Sequence, residues 1–198
     1  ISALTSTSLT NSSAAWAPGT LKGLQVNPNT DQGTTFTIID NDATTLYIDS
    51  TRGNLTHVAA VGSPYAGVYS LNSMKVMGMS KVRCDDQFVI DTGLTIDGSS
   101  TLITSDVTSD TITLTNGGVL TYVNATTTRV YRLNLNAAAA VTIDLTSKID
   151  VTGRGYLGGS SGGNSSTTGR TNGNTTSGGS TQYNGGSYGG LGGISSGS

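Results

Sequence analysis

Four segments of the chain repeat one pattern of apolar residues, and this repeat limits the possible folds more than any other feature. The segments are MKVMGMSKV, LTIDGSSTL, ITLTNGGVL and VTIDLTSKI, which begin at residues 74, 94, 112 and 141. Each has apolar residues at positions one, three and nine, and most have small or polar residues at positions six to eight. Alternation indicates a strand with one buried face, and the polar residues indicate a turn before position nine.

The spacing of the four segments favours stacked β-structure. They start 20, 18 and 29 residues apart. Periods near twenty with an internal turn are typical of β-solenoids, in which one unit cannot bury its own core and several must stack. We therefore predict right-handed parallel β-helix-like coils, with an antiparallel sandwich or meander as the alternative. The long last interval contains NATTTRVYRLNLN, which indicates an insertion or an extra strand pair.

The rest of the chain also predicts an all-β fold. Helix signals are nearly absent, and residues 1–72 contain short alternating runs such as TTFTIID (34–40) and HVAAV (57–61) between turn clusters. We predict a small N-terminal β module over residues 1–72, β-helix-like repeats over 73–152, and a Gly-rich tail over 153–198.

The Gly-rich tail holds 17 of the 28 glycines in the chain. Such composition is typical of flexible linkers, and ordering glycine costs more backbone entropy than ordering any other residue. An ordered tail therefore needs dense packing and satisfied backbone groups. We predict a packed tail, covered by a neighbouring identical subunit, that contributes large side chains to assembly: Tyr183, Tyr188, Leu191 and Ile194.

The first ten residues, ISALTSTSLT, alternate small and apolar side chains. We expect them to form a strand that pairs with another subunit, so the predicted assembly residues also include Ile1, Leu4 and Leu9.

Composition excludes several function classes. Charged residues make up 11% of the chain and the net charge is −2, with the basic residues scattered, which argues against a nucleic-acid partner. No apolar run is long enough to span a membrane. Cys84 and His57 are the only residues of their types, so neither an internal disulfide nor a Cys-rich zinc site is expected. The absence of Glu and the excess of Ser, Thr, Asn and Gly are typical of extracellular or cell-surface β-proteins.

The sequence gives little indication of a catalytic or ligand-binding site. Glycoside hydrolysis requires two carboxylates, but Asp is also a common turn former. We interpret the carboxylates of CDDQF and SDVTSD as turn residues, namely Asp85, Asp86, Asp106 and Asp110. Asp97 and Asp144 share position four of the repeat and should point outward on a solvated face, and Asp91 is a further candidate without a partner motif. The segment DNDATT (40–45) lacks the Gly and the distal Glu of a calcium loop and predicts a hairpin turn. We expect Cys84 to be a small buried residue, and we predict no catalytic residue, cofactor or metal.

Asn-x-Ser/Thr sequons allow glycosylation of a secreted chain. They occur at Asn11, Asn54, Asn124, Asn164 and Asn174.

Two segments resemble known proteins. SSAAWAPGTLKGLQVNPNTDQGTTFTIIDNDATTLYID (12–49) resembles a small β module of bacterial surface proteins and of phage tail or baseplate proteins. IDVTGRGYLGG (149–159), followed by GGSYGGLGG (185–193), resembles very large secreted bacterial repeat proteins in which a β-helix passes into a Gly-rich stretch. The resemblance implies a surface or fibre role and carries no active site. The wider β-helix group also includes polysaccharide lyases and phage tailspikes.

Three functional hypotheses follow. The leading one is a structural, non-catalytic subunit that self-assembles with identical subunits into an extracellular filament, fibre or surface layer. The second is an adhesin or tail-fibre-type module that binds surface glycans through exposed tyrosines, for which the candidates are Tyr65, Tyr69, Tyr122 and Tyr131. The third is a β-helix polysaccharide-active enzyme with an Asp cluster on one face.

Overall fold

The structure is a computed structural model that describes residues 1–49, 51, 53–181 and 184–186. It confirms the prediction of an all-β fold. The strands are β1 (Ala3–Leu4), β2 (Ser8–Thr10), β3 (Gln25–Asn27), β4 (Phe36–Asn41), β5 (Thr45–Ile48), β6 (Ala66–Val76), β7 (Lys81–Arg83), β8 (Gln87–Asp97), β9 (Thr101–Ile103), β10 (Asp106–Thr115), β11 (Val119–Thr121), β12 (Asn134–Ile143) and β13 (Lys148–Asp150).

The strands form one large curled mixed sheet and one small parallel sheet. The large sheet has nine strands in the order β1-β2-β5-β4-β3-β6-β8-β10-β12. Its pairs are antiparallel from β1 to β6 and parallel from β6 to β12. The small sheet has the order β13-β11-β9-β7 and is parallel throughout. The expected boundary at residue 72 lies within β6, so the large sheet is continuous across it.

The N-terminal strands enclose their own apolar core. In β4, Phe36 and Ile38 point into it because alternate residues of a strand share a face. Trp16 packs beside this core with its ring edge towards Tyr65, at 6.4 Å between ring centroids. The other core residues are Leu9, Val26, Leu46, Ile48 and Leu55.

The strand expected at residues 57–61 is absent, and that prediction was wrong. A turn of 3-10 helix spans Leu55–His57 instead. The side chain of Asn54 caps this turn by accepting a hydrogen bond from the backbone N–H of Thr56 at 2.9 Å. A capped turn removes the chain from the extended conformation, which local alternation alone does not reveal.

The four repeated segments lie side by side in the structure. Strand register joins the residues at position one, then those at position three, then those at position nine, each to its counterpart in the adjacent repeat. A second core forms between the two sheets, and its completely buried members are Leu94, Ile96, Leu102, Val107, Ile112, Leu114 and Leu120. The spacing of apolar residues in the sequence therefore corresponds to columns of packed side chains.

Turns built from left-handed residues connect the long strands to the short ones in the first three repeats. Two consecutive residues have positive φ in each turn: Gly78 and Met79, Gly98 and Ser99, and Asn116 and Gly117. Glycine and asparagine adopt this conformation at low cost. The small residues of the sequence pattern thus lie where the backbone reverses.

The long strands bend at aligned bulges. Register shifts lie between Leu71 and Ser73 in β6 and between Ser109 and Thr111 in β10. The hydroxyl of Thr111 donates to the carbonyl of Thr92 at 3.2 Å, and the hydroxyl of Thr92 donates to the carbonyl of Asn72 at 2.8 Å. These bonds run from strand to strand, so the bend continues along the stack.

The turn of the fourth repeat is held by Asp144. Its carboxylate accepts hydrogen bonds from the backbone N–H groups of Thr146 and Ser147, both at 2.9 Å, and of Asn116 in the preceding repeat at 2.6 Å. The hydrogen bond from the backbone of Asn116 makes the largest contribution to holding the pKa of Asp144 well below its usual range. Asp144 thus links the last two repeats.

We expect Asp144 to make stability depend on pH in the acid range. A carboxylate whose pKa is lower in the folded chain stabilises it above the unfolded pKa, and this contribution is lost as pH falls through the folded pKa. Asp144→Asn keeps the shape but cannot titrate. Thermal unfolding from pH 7 to pH 2 should show a lower Tm for the variant at neutral pH and a difference that shrinks below about pH 4. A difference that is constant across this range would contradict the assignment.

The described part of the Gly-rich tail packs backbone against backbone. The N–H of Gly159 donates to the carbonyl of Asn184 at 2.9 Å, and that of Gly169 donates to Ser180 at 2.8 Å. A methyl group at Gly158 would lie 3.0 Å from the carbonyl oxygen of Asn184. In these residues, glycine permits the close approach of two backbone segments.

Candidate functional site

Strand β12 forms an open end of the stacked repeats. It pairs with β10 on one side, and no strand among the described residues pairs with its other side. None of its residues is buried, whereas β8 and β10 alternate buried and partly exposed residues. Its sequence, NLNAAAAVTI, contains neither a charge nor a proline. Native proteins usually protect long edge strands with such residues, so β12 is an unprotected edge.

Apolar side chains are exposed at this end of the stack. Val141 and Ile143, at positions one and three of the fourth repeat, are 47% and 42% exposed. Their counterparts in the third repeat, Ile112 and Leu114, are completely buried. Leu145, in the turn that follows β12, is fully exposed. At these two positions the fourth repeat, which has a neighbouring repeat on only one side, is therefore much more exposed than the third.

The opposite end of the long-strand stack is covered in part. Strand β3 pairs antiparallel with residues 66–68 of β6, and the N-terminal core continues the large sheet beyond it. Among the described residues, no strand pairs with residues 69–76 of β6 on that side. The long strands thus have one partly covered end, at β6, and one open end, at β12.

A cleft of about 840 Å³ runs along the corner where the short strands lead back to the long ones. Its walls are residues 85–87, residues 105–106, part of the connection from β11 to β12 and the N-terminal residues 64–66. The connection spans 122–133 and contains most of the predicted insertion (124–136), whose last three residues begin β12. Residues 122–133 form no strand. Tail residues also reach the cleft, namely Gly155, Tyr156, Asn172 and Gly186.

Tyrosine side chains line the cleft and most are held at their hydroxyl groups. The hydroxyl of Tyr65 accepts a hydrogen bond from the Asn11 amide at 2.7 Å. The hydroxyl of Tyr122 donates to the carbonyl of Arg154 at 3.4 Å, and that of Tyr156 donates to the Asn172 side chain at 3.2 Å. Such anchors restrict how the rings can move.

The fourth cleft tyrosine, Tyr131, lies in the connection between β11 and β12. The guanidinium of Arg129 lies 4.6 Å from the centroid of its ring. This distance is typical of a cation–π contact, so Tyr131 is fixed by a neighbour on its own connection.

A row of polar side chains crosses the cleft at the first residues of three parallel strands. Register places Gln87, Asp106 and Asn134 side by side. The Asn134 amide donates to Oδ2 of Asp106 at 3.1 Å, while Oδ1 of Asp106 is buried without a hydrogen-bond partner. Burial is the main cause that raises the pKa of Asp106. The neighbouring side chain of Gln87 favours the charged form of Asp106, but no hydrogen bond of ordinary length and angle from the described residues reaches Oδ1. The wall of the cleft therefore contains an acceptor that is not fully satisfied.

The cleft carries more negative than positive charge. Its acidic residues are Asp31, Asp85, Asp86 and Asp106, and its basic residues are Arg129 and Arg132. Arg132 pairs with Asp31 at 2.8 Å. Asp85 binds Arg83 outside the cleft lining, also at 2.8 Å.

The structure separates the candidate carboxylates of the sequence analysis, and it places Asp106 and Asp110 within β10 rather than at the predicted turn. Asp85, Asp86 and Asp106 line the cleft, whereas Asp91 and Asp110 are exposed elsewhere. Asp97 binds Lys75 at 3.4 Å and accepts a hydrogen bond from the Asn116 amide at 2.8 Å.

The loop at residues 40–45 is the hairpin turn that the sequence predicts. Oδ1 of Asp42 accepts hydrogen bonds from the N–H groups of Thr44 and Thr45, at 2.8 and 2.7 Å. These backbone bonds are the main cause that lowers the pKa of Asp42.

The tyrosines proposed as a stacking face are partly brought together. Tyr65, Tyr122 and Tyr131 line the cleft, but Tyr69 does not and contacts Phe88 at 6.0 Å between ring centroids. Sequence reasoning missed the cleft residues Gln87, Arg129, Arg132 and Tyr156. The insertion within the repeat was the one signal that pointed towards two of them.

The predicted assembly residues near the N-terminus pair and pack within the same chain. Strand β1 pairs with β2, and β2 pairs with β5. Leu9 is completely buried, and Ile1 and Leu4 pack against the same core. The open end at β12 is therefore built from other residues. The remaining predicted assembly residues lie outside the described residues: Tyr183, Tyr188, Leu191 and Ile194.

The five sequons differ in their surroundings. Asn124 is exposed. Asn11, Asn54 and Asn174 are partly exposed and make hydrogen bonds. Asn164 is buried, and its amide donates to the carbonyls of Gly158 and Thr168, both at 2.9 Å. An attached glycan at Asn164 is incompatible with this packing.

Cys84 lies partly buried against the second core. Burial raises the pKa of its thiol, which keeps the unreactive protonated form. The neighbouring guanidinium of Arg83 is bound to Asp85 rather than to the thiol.

Two absences apply to the described residues. Within them, no three His, Cys, Asp or Glu side chains are placed to hold a metal ion together. No helix in this part of the chain has the length and apolar character needed to cross a membrane.

Comparisons of the chain with protein-family models, with curated proteins and with solved structures find no significant match.

Proposed function

We propose that the protein is a structural, non-catalytic subunit that self-assembles into an extracellular filament, fibre or surface layer. The observation that carries the proposal is the open end at β12, which exposes apolar side chains and an unpaired ten-residue edge. Exposed edges of this kind accept strands from other chains. Burial of Val141, Ile143 and Leu145 by a second copy would contribute roughly 25 cal/mol per Å² of apolar surface.

The same proposal interprets the parallel strands of the two sheets, β6 to β13, as coils of a parallel β-helix. Each repeat supplies one long strand to the large sheet and one short strand to the small sheet. Parallel strands joined through a crossover are almost always right-handed, and we propose this hand. Because each coil presents a similar face to the next, a strand from another chain can continue the stack.

An extracellular or cell-surface location fits the composition. The chain has no Glu, few charges and many Ser, Thr, Asn and Gly residues. The backbone packing of the described tail supports a further part of the proposal, in which the Gly-rich segment is an ordered element covered by an identical neighbour.

The proposal predicts that charges at β12 prevent assembly. In the double variant Val141→Lys, Ile143→Lys, two half-exposed apolar side chains become lysines. The cost of desolvating these ammonium groups, and the repulsion between them, should oppose the pairing of β12 with another strand. We expect the unchanged chain to form large species at high concentration and the variant to remain monomeric, measured by light scattering with size-exclusion chromatography and by negative-stain electron microscopy.

A matched control is Ile39→Lys. Ile39 is 48% exposed but lies on β4, which has a strand paired on each side. This variant should assemble like the unchanged chain, and circular dichroism should show that all variants are folded. If the unchanged chain stays monomeric at every concentration, or if Ile39→Lys disrupts assembly as strongly as the double variant, the proposal fails.

A further inference from the structure

We propose that the cleft at the corner of the stack binds a neutral oligosaccharide. The proposal is independent of assembly at β12, because the cleft and the apolar part of that edge consist of different residues. The proposal rests on four features of the cleft: its size, its aromatic lining, its unsatisfied acceptor and its charge.

The size of the cleft suits a short chain of sugars. Its volume of about 840 Å³ lies within the range of roughly 300–1,000 Å³ typical of small-ligand pockets. It extends past three successive strand beginnings, at Gln87, Asp106 and Asn134. An elongated ligand can therefore contact several repeats at once.

The lining combines aromatic rings with hydrogen-bonding side chains. Four of the six tyrosines that the structure describes lie here: Tyr65, Tyr122, Tyr131 and Tyr156. A tyrosine ring offers a flat apolar surface together with a polar hydroxyl. A sugar ring has the matching properties, with an apolar face of C–H groups and an equatorial rim of hydroxyls. Because three tyrosines are held at their hydroxyls, little ordering is required on binding.

The row of polar side chains in the cleft wall, Gln87, Asp106 and Asn134, can select among sugars by hydrogen bonding to their hydroxyls. Oδ1 of Asp106 is buried and has no well-formed hydrogen bond from the described residues, and leaving a buried acceptor unsatisfied is unfavourable. A ligand hydroxyl that donates to it would remove this penalty. Gln87 and Asn134, on either side of Asp106, each offer an amide that can both donate and accept.

The charge of the cleft selects against acidic ligands. Four carboxylates and two guanidinium groups line the cleft. Asp31 is paired with Arg132, and Asp85 is paired with Arg83 outside the lining, so the excess of negative charge is small. The excess of negative charge would repel uronate or sulfated chains and nucleic acids. A cationic peptide would also suit an acidic cleft, but the tyrosines and the amide groups of the lining favour a sugar.

The experiment titrates the full chain with defined probes by isothermal titration calorimetry. The neutral probes are hexasaccharides of β-1,4-glucan, α-1,4-glucan, β-1,4-mannan and β-1,4-xylan, and the acidic probe is the corresponding oligogalacturonide. An oligolysine peptide tests the cationic alternative. We expect one or more neutral probes to bind, with little dependence on salt, and the oligogalacturonide not to bind. Binding of only the peptide, with an affinity that falls as salt rises, would overturn the proposal.

Variants locate the binding. Tyr131→Ala should weaken the binding of the neutral probe by about tenfold or more, and Asp106→Asn should also weaken it while keeping the shape of the side chain. Tyr47→Ala is the matched control, because Tyr47 is an exposed tyrosine on β5 that does not line the cleft. Equal losses in Tyr47→Ala and Tyr131→Ala, or failure of every neutral probe to bind, would refute the site.

Two outcomes distinguish this inference from the proposed function. The Val141→Lys, Ile143→Lys chain should bind the neutral probe as the unchanged chain does, even where it no longer assembles. Release of shorter sugars from the probe would support binding in the cleft but would contradict the non-catalytic role proposed above.

Discussion

Replacing Ile96 with Ala should lower the free energy of unfolding by about 2–5 kcal/mol, the usual cost of truncating a large buried side chain. Ile96 is completely buried in the second core. Its strand neighbours at position three of the adjacent repeats are Val76 and Leu114. Removing its methyl groups therefore leaves a cavity that both neighbouring repeats line. Urea unfolding followed by circular dichroism, at concentrations where the chain is monomeric, measures the loss.

The same substitution at Ile143 provides the control. Ile143 is position three of the fourth repeat, so residue type and repeat position are unchanged, but its side chain is 42% exposed. Ile143→Ala should cost about 1 kcal/mol or less. If the two variants lose equal stability, the side chain of Ile143 is packed as closely as that of Ile96, and the end at β12 is not open.

Replacing Gly118 with Ala should cost about 2 kcal/mol or more, because the added methyl group has no space. It would collide with the carbonyl oxygen of Ile96 in the preceding repeat. The backbone of Gly118 is also bonded on its other side, since the N–H of Lys148 donates to its carbonyl at 3.0 Å. The turn cannot move away from one neighbour without disturbing the other.

Gly33→Ala is the matched control for Gly118→Ala. Gly33 lies in a loop where a methyl group would meet nothing within 4 Å, and we expect its stability to change by about 0.5 kcal/mol or less. Thermal unfolding compares both variants with the unchanged chain. A Gly118→Ala chain as stable as Gly33→Ala would show that adjacent repeats do not approach each other this closely.

The stacked strands could be predicted from the sequence because one local pattern determines them. Apolar residues at positions one, three and nine become neighbours in register, for example Leu94 beside Ile112 and Leu102 beside Leu120. The turns could also be predicted from the sequence, because Gly98 and Gly117 occupy positions of positive φ. Here local preference and tertiary packing favour the same structure.

The two candidate sites could not be predicted in this way. The fourth repeat has the same pattern as the others, so its exposure at Val141 follows from a missing neighbour rather than from its own residues. The cleft joins residues distant in the chain, such as Asp31 and Arg132, whose ion pair no local pattern reveals. The strand expected at residues 57–61 failed because the cap at Asn54 overrode alternation.

The two kinds of connection in the stack differ in their freedom to change length. On the side of the left-handed turns, the connections are uniformly short: 77–80, 98–100, 116–118 and 144–147. At the cleft corner they are 84–86, 104–105 and the much longer 122–133. One corner therefore keeps the strands in register while the other tolerates insertions, and loops on a rigid scaffold are where new recognition usually arises. Such a chain can acquire a different ligand by altering one loop, without any change to the columns that hold it together.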